Sequence, residues 1–282
     1  MKKGLVLEGG ALRGLFSAGV MDVMMEHHIE VDGLVGVSAG AAFGCNYKSG
    51  QPGRAIRYNK RFAHDWRYCS LRSLLLTGDL FGGEFCYHVM PERLDVFDGD
   101  TFDHSAMEFY AVCTDVVSGK AEYKLLMEHG HECYEWIRAS ASMPLASKVV
   151  RIAGRELLDG GISDSIPLAF FQAKGYDRNV VVLTQPEGYV KQPNKLLPLM
   201  KLLLRRYPRF IETAARRHLV YNEQLAYVKR EEQKGHTVVI RPAATLPISH
   251  ISHDPNEMEA VYQQGREAAL AKLPAIKALY QL

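Results

Sequence analysis

The stretch Leu34-Val35-Gly36-Val37-Ser38-Ala39-Gly40-Ala41-Ala42-Phe43 decides the fold. Its apolar start reads as a buried strand, and the small residues that follow suit a helix packed closely on a sheet. Between the two lies a G-x-S-x-G turn formed by Gly36, Ser38 and Gly40. A strand that turns straight into a helix strains its central residue and leaves no room for flanking side chains, so glycines stand on both sides. The helix N-terminus behind Ser38 favours negative charge on an attacking oxygen and on an oxyanion. Taken alone, the pentapeptide fits a tight βα turn with a bystander serine equally well.

Upstream, Leu5-Val6-Leu7 enters a second glycine turn, Glu8-Gly9-Gly10-Ala11-Leu12-Arg13-Gly14, which leads into a helix over Leu15 to His27. The opening is therefore β-α-β-α, and a right-handed crossover makes its strands parallel. The two turns then lie side by side at the carboxyl edge of the sheet. Backbone N–H groups of Gly9, Gly10, Ala11, Leu12, Arg13 and Gly14 can face a shared anion there, a candidate oxyanion hole to which Arg13 adds positive charge. The spacing gives neither G-x-G-x-x-G nor a lysine-serine phosphate loop. A purely structural glycine turn is the competing reading.

Downstream, Phe109–Val117 and Glu122–Met127 alternate like strands and can pair through Ser118-Gly119. Val149–Ile152 and Glu156–Leu158 flank Ala153-Gly154 as a hairpin that ends at Asp159-Gly160-Gly161. Asp159 is a candidate general base, because an unassisted serine hydroxyl is a poor nucleophile and the paired glycines Gly160 and Gly161 let the carboxylate approach another backbone. An ordinary turn is the commoner meaning of Asp-Gly. Pro167–Lys174 reads as a helix, Val180–Leu183 as a core strand, and the chain beyond Pro186 as mostly helical apart from Thr237–Ile240. Residues 52–102 read only as short helices and loops. The aromatic stretch Trp66–Phe85 suits core packing better than a lid or pocket wall.

Read together and in this order, G-G-A-L-R-G, G-V-S-A-G and D-G-G resemble the patatin-like phospholipases. Arg138-Ala139-Ser140-Ala141-Ser142-Met143-Pro144 is similar to the family's A-S-x-x-x-P segment, and Asp164 to Pro167 to its D-x-I-P stretch. The resemblance covers roughly residues 4 to 185. It implies an α/β fold with a mostly parallel sheet flanked by helices, and an acyl hydrolase of lipid esters that needs no cofactor. It also implies Ser38 as nucleophile, Asp159 as base in a Ser-Asp dyad, and Gly9 to Gly14 as the oxyanion hole. Ala11 stands where the family often has a third glycine, which costs little provided its φ stays negative. Rival readings are a soluble carboxylesterase with a Ser38, Asp159, His250 or His253 triad, and a non-catalytic lipid- or nucleotide-binding protein.

At 282 residues, 47% hydrophobic and 23% charged, the chain excludes disorder and fibrous repeats. We expect one domain over residues 1–282, with a core at 4–185 and a helical extension at 186–282. Thirty-four basic against thirty-two acidic residues leave a net charge of +2, so no nucleic-acid partner is expected. Five cysteines without a C-x-x-C pair, and the acidic break at Glu8 after a short apolar start, point to a reducing, cytoplasmic setting with no metal site. No apolar run approaches the ~18 residues of a membrane span. One local patch suits peripheral contact with an anionic membrane: Lys195, Lys201, Arg205, Arg206, Arg209, Arg216 and Arg217 interleave with leucines. An apolar face covering the sheet beneath a solvated basic face accounts for that patch slightly better. Pro198 and Pro208 interrupt it.

Overall fold

The computed structural model describes all residues 1–282. Its eight strands are β1 (Lys3–Leu7), β2 (Gly33–Val37), β3 (Glu108–Asp115), β4 (Ala121–Leu125), β5 (Val150–Ile152), β6 (Arg155–Asp159), β7 (Arg178–Val182) and β8 (Thr237–Ile240). They form one sheet in the order β5-β6-β3-β2-β1-β7-β8, with β4 also on β3. β3, β2, β1, β7 and β8 run parallel, whereas β4 and β6 are antiparallel to β3. The sheet is thus mixed. The parallel strands are nearly continuous apolar runs because both their faces are covered.

Ten α-helices cover it: α1 (Gly14–Glu26), α2 (Ala39–Lys48), α3 (Arg54–Arg61), α4 (Leu71–Thr77), α5 (Gly99–His104), α6 (His131–Ser140), α7 (Leu168–Ala173), α8 (Leu197–Leu203), α9 (Pro208–Gln233) and α10 (Pro255–Tyr280). The larger core cluster joins α1, α2, α6 and α10 to one face. The smaller one joins α7 and α9 to the other. The 52–102 region resolves into α3, α4, α5 and a π-helix over Phe85–Leu94. The basic run is two helices, α8 and α9, and not one; Pro198 and Pro208 each sit in the first turn of one, where the missing N–H has no partner to lose. The extension also completes the sheet, since β8 pairs with β7 and α10 packs along α1.

One detail of the pairing positions the site. β4 occupies one edge of β3 along Tyr110–Thr114, so β2 and β6 must share the other. β2 pairs with β3 only as far as Val112, and β6 takes over from Cys113 onward, running the opposite way. Ser38 follows the last residue of β2 and Asp159 is the last residue of β6. Both strands therefore end at the same point on β3, facing each other.

Candidate active site

Ser38 stands between β2 and α2 at φ 56° and ψ −120°, a backbone conformation that costs a side-chain-bearing residue about 1–3 kcal/mol. The packing around it enforces the turn. A Cβ on Gly40 would come within 2.5 Å of the Leu7 carbonyl, and one on Gly9 within 2.9 Å of the Ser38 Cβ. The Ser38 N–H donates to Ser140 Oγ at 2.9 Å, and that hydroxyl donates in turn to the Val112 carbonyl at 2.6 Å. Ser140 thus ties the turn to β3. Removing it leaves a buried N–H without an acceptor, a cost of about 1–3 kcal/mol. Ser140→Ala is therefore expected to lower the melting temperature by several degrees and to cost roughly tenfold in kcat, read by thermal denaturation and ester turnover.

Asp159 is only 6% exposed. Its carboxylate accepts from the Gly161 N–H at 2.7 Å, and the Ser38 hydroxyl lies within its reach. Burial pushes this carboxyl above the usual aspartate range, while the Ser38 hydroxyl and the Arg217 guanidinium hold it down. A carboxyl whose pKa is raised by burial, beside a serine, is the kind of group that can accept a proton.

Beside them, the first glycine turn closes as a 3-10 turn over Ala11–Arg13. The N–H groups of Gly9, Gly10, Ala11 and Leu12 donate to no group of the chain, so four adjacent donors are available next to Ser38. Ala11 departs from the condition attached to it: its φ is +48°. The tight entry into the 3-10 turn demands the left-handed region there, and alanine pays about 1 kcal/mol for it where glycine would not.

Two cavities meet at Ser38. The first is apolar at 17 of its 21 lining residues, among them Leu12, Ala42, Phe43, Tyr58, Tyr68, Phe81, Met90, Phe97 and Ile137. The second is polar and holds Glu8, Gly9, Gly10, Arg13, Asp159, Gly161, Lys191, Arg217, Tyr221 and His250. Ser38, Ala11 and Met143 belong to both. The expected residues accordingly fall into two groups. Gly9, Gly10, Ala11, Leu12, Arg13, Ser38, Asp159 and Gly161 line the cavities, while Gly14, Gly36, Gly40 and Gly160 stand behind them and allow close backbone packing.

Tyr68 and Phe81 wall the apolar cavity and belong to the core contacts as well, so packing and pocket share these side chains. Trp66 takes no part in the lining and lies under the Arg72 guanidinium. Ser140, Lys191, Arg217 and Tyr221 are absent from the expected site. Ser140 lies within the A-S-x-x-x-P segment, a usable signal. Lys191 has none, and Arg217 is hidden in a basic run whose face looked solvated; in fact its guanidinium turns into the polar cleft, 3.2 Å from where a Gly161 side chain would begin.

Both candidate histidines have partners outside Ser38 and Asp159. Arg13 Nη1 lies 3.0 Å from His250 Nε2, and because a guanidinium can only donate, that nitrogen is the acceptor of a neutral imidazole. Burial and Arg13 hold the His250 pKa below its usual value. His253 Nδ1 contacts the Ala63 carbonyl at 2.7 Å, outside both cavities.

A sheet flanked by helices, a serine on a strained strand-to-helix turn and an apolar cavity lined by that serine are the arrangement of the patatin-like fold. The family model of the patatin-like phospholipases matches residues 5–171, and the chain belongs to that family. A second model, of a domain of unknown function, matches residues 207–281. Among curated relatives, the lysophospholipase nte1 of Emericella nidulans is 30% identical over 181 residues, 62% of this chain and 11% of that protein. The lysophospholipase NTE1 of Scheffersomyces stipitis is 30% identical over 179 residues, 61% and 11% respectively. The chain thus corresponds to a small part of those proteins. Among solved structures, VipD from Legionella pneumophila aligns with a TM-score of 0.48 at 11% identity, covering 98% of this chain and 67% of that one.

Proposed function

We propose that the protein hydrolyses acyl esters of phospholipids or lysophospholipids through an acyl-enzyme on Ser38, with Asp159 as the base of a two-residue dyad. The observation that supports this reading is the head-on meeting of β2 and β6 on β3, which brings Ser38 and the buried Asp159 to the same cleft. Asp159 takes the serine proton as Ser38 Oγ attacks the ester carbonyl, and the Gly9–Leu12 N–H groups receive the oxyanion. The protonated Asp159 then gives its proton to the departing alcohol. Water, deprotonated by the same carboxylate, releases the fatty acid. The apolar cavity would take the acyl chain. Labelling with a fluorophosphonate, followed by lipid profiling of wild type against Ser38→Ala, tests the reading; absence of label on Ser38 overturns it.

We read the chain as one domain, because β8 and α10 complete layers that residues 4–185 leave open. A peripheral membrane contact also belongs to this proposal. The 195–217 segment divides its apolar residues: Met200, Tyr207 and Phe210 are buried, whereas Leu202 and Leu203 of α8 are 65% and 61% exposed beside Lys201, Arg205 and Arg206. Met200 and Leu196 line the polar cleft, so α8 borders it. No helix is long and apolar enough to cross a membrane. Salt-sensitive binding to anionic vesicles is expected, weakened about tenfold or more by Arg205→Glu with Arg206→Glu, since each cation near such a surface contributes ~1 kcal/mol. Sedimentation with vesicles of phosphatidylserine and phosphatidylcholine measures it, and equal binding by the variant removes this surface from the reading.

A further inference from the structure

The polar cleft gathers positive charge from three distant parts of the chain. Arg13 comes from the turn after β1, Lys191 from the segment between β7 and α8, and Arg217 from α9. Two carboxylates share the cleft, and both already have donors: Glu8 accepts from the Thr184 N–H and the Tyr221 hydroxyl at 2.6 Å each, and Asp159 from the Gly161 N–H. The cations find no such partners. Arg13 donates to a neutral imidazole, Lys191 Nζ lies 4.5 Å from the Tyr221 ring centre, and the Nε atoms of Arg13 and Arg217 are buried without any hydrogen-bond partner. Burial, and next the nearby Arg217, pull the Lys191 ammonium down to about 8. Like charges held together out of water are costly, and an anion placed among them offsets that cost.

We propose that this cleft binds the phosphate of an anionic lipid headgroup, with Arg13, Lys191 and Arg217 as its cationic walls. The inference rests on the acyl hydrolase reading above. It is the shared position of Ser38 that assigns the anion to a lipid. The apolar cavity and the cationic cleft share Ser38 in their linings, and in a glycerophospholipid only a few bonds separate the ester carbonyl from the phosphate. A substrate with its carbonyl at Ser38 can lay its tail in the first and its phosphate in the second. A headgroup with net negative charge is favoured over a zwitterionic one, because the free groups of the cleft are all cations.

The test uses the full-length protein and three substrates with the same acyl chain: lysophosphatidic acid, lysophosphatidylcholine and a monoacylglycerol. Wild type should turn over lysophosphatidic acid with a kcat/KM about tenfold or more above that of the monoacylglycerol, the worth of one charge-assisted hydrogen bond, with lysophosphatidylcholine between them. Lys191→Met and Arg217→Met should each bring that ratio toward one. The ratio cancels any loss common to all substrates, including one transmitted from Arg217 to Asp159, and thermal melts identify a variant that fails to fold. Calorimetric titration with inorganic phosphate separates the sources of the anion. Binding by wild type that both variants lose, together with the substrate preference, supports the headgroup site. Phosphate binding without a substrate preference overturns the lipid assignment, and an unchanged ratio in folded variants overturns the site. If wild type hydrolyses none of the three lipids, the acyl hydrolase reading fails. The titration still decides the cleft, because no phosphate binding would overturn it on its own.

Discussion

Ser38→Ala is expected to abolish ester hydrolysis, with a loss on the order of 10⁴-fold or more, while the protein stays folded. The side chain shrinks by one oxygen, the backbone N–H keeps its bond to Ser140, and neither cavity gains a clash. A companion variant separates chemistry from strain. Ser38→Gly should be equally inactive, yet more stable by about 1 kcal/mol, because glycine adopts φ 56° without the penalty that serine pays and gives back only part of the gain as unfolded-chain entropy. Turnover of a chromogenic ester and thermal denaturation measure the two effects. Retained turnover in Ser38→Ala would rule out the nucleophile, and a less stable glycine variant would rule out the strain.

Asp159→Asn should cost on the order of 10³- to 10⁴-fold, since the amide keeps the shape of the carboxylate but cannot take the serine proton. The pH dependence follows from the same residue. Burial raises the Asp159 pKa, so the folded protein favours the protonated acid more than the unfolded chain does. Activity needs the ionised form and is lost as pH falls through this raised pKa, placing the acid limb of the profile above the ordinary aspartate value of 3.8. Stability runs the other way: the ionised carboxylate penalises the folded state above that pKa, and the asparagine variant escapes the penalty at neutral pH. Full pH profiles and melts of both proteins check these signs. His250→Gln should lose roughly tenfold less activity than Asp159→Asn; the reverse order would restore the histidine triad.

Much of this site is legible in the residues themselves, for a physical reason. β1, β2 and β7 are buried on both faces, so they read as plain apolar runs, and each glycine turn marks where one stops. Ser38 stands at the stop of β2, and Asp159 at the end of β6. The hairpin at Ala153-Gly154 is likewise local, and its strand ends where the paired glycines say it should. What is not legible is whatever depends on packing between distant segments. Residues 52–102 carry no clean periodicity because their side chains serve a core and a cavity at once. The basic run of the extension reads as one solvated face, yet α9 turns Arg217 and Tyr221, four residues apart on one side of the helix, into the cleft. Ala11 illustrates the same limit at a single residue: its left-handed backbone is imposed by the turn around it, and no propensity of alanine foretells it.

The shared edge of β3 has a consequence for how such an enzyme can vary. Because β2 and β6 end at the same point on one strand, the spacing of Asp159 and Ser38 is quantised, which under the proposed mechanism fixes the acid against the nucleophile. A slip of β6 by one residue would move Asp159 along the strand by about 3.3 Å and turn its side chain to the opposite face, so no intermediate setting exists between a working pair and none. Loop drift cannot tune it by degrees. Differences in rate or substrate among chains built this way must instead be written in the material around the pair: the depth of burial of the acid, the cations beside it, and the length of the apolar cavity.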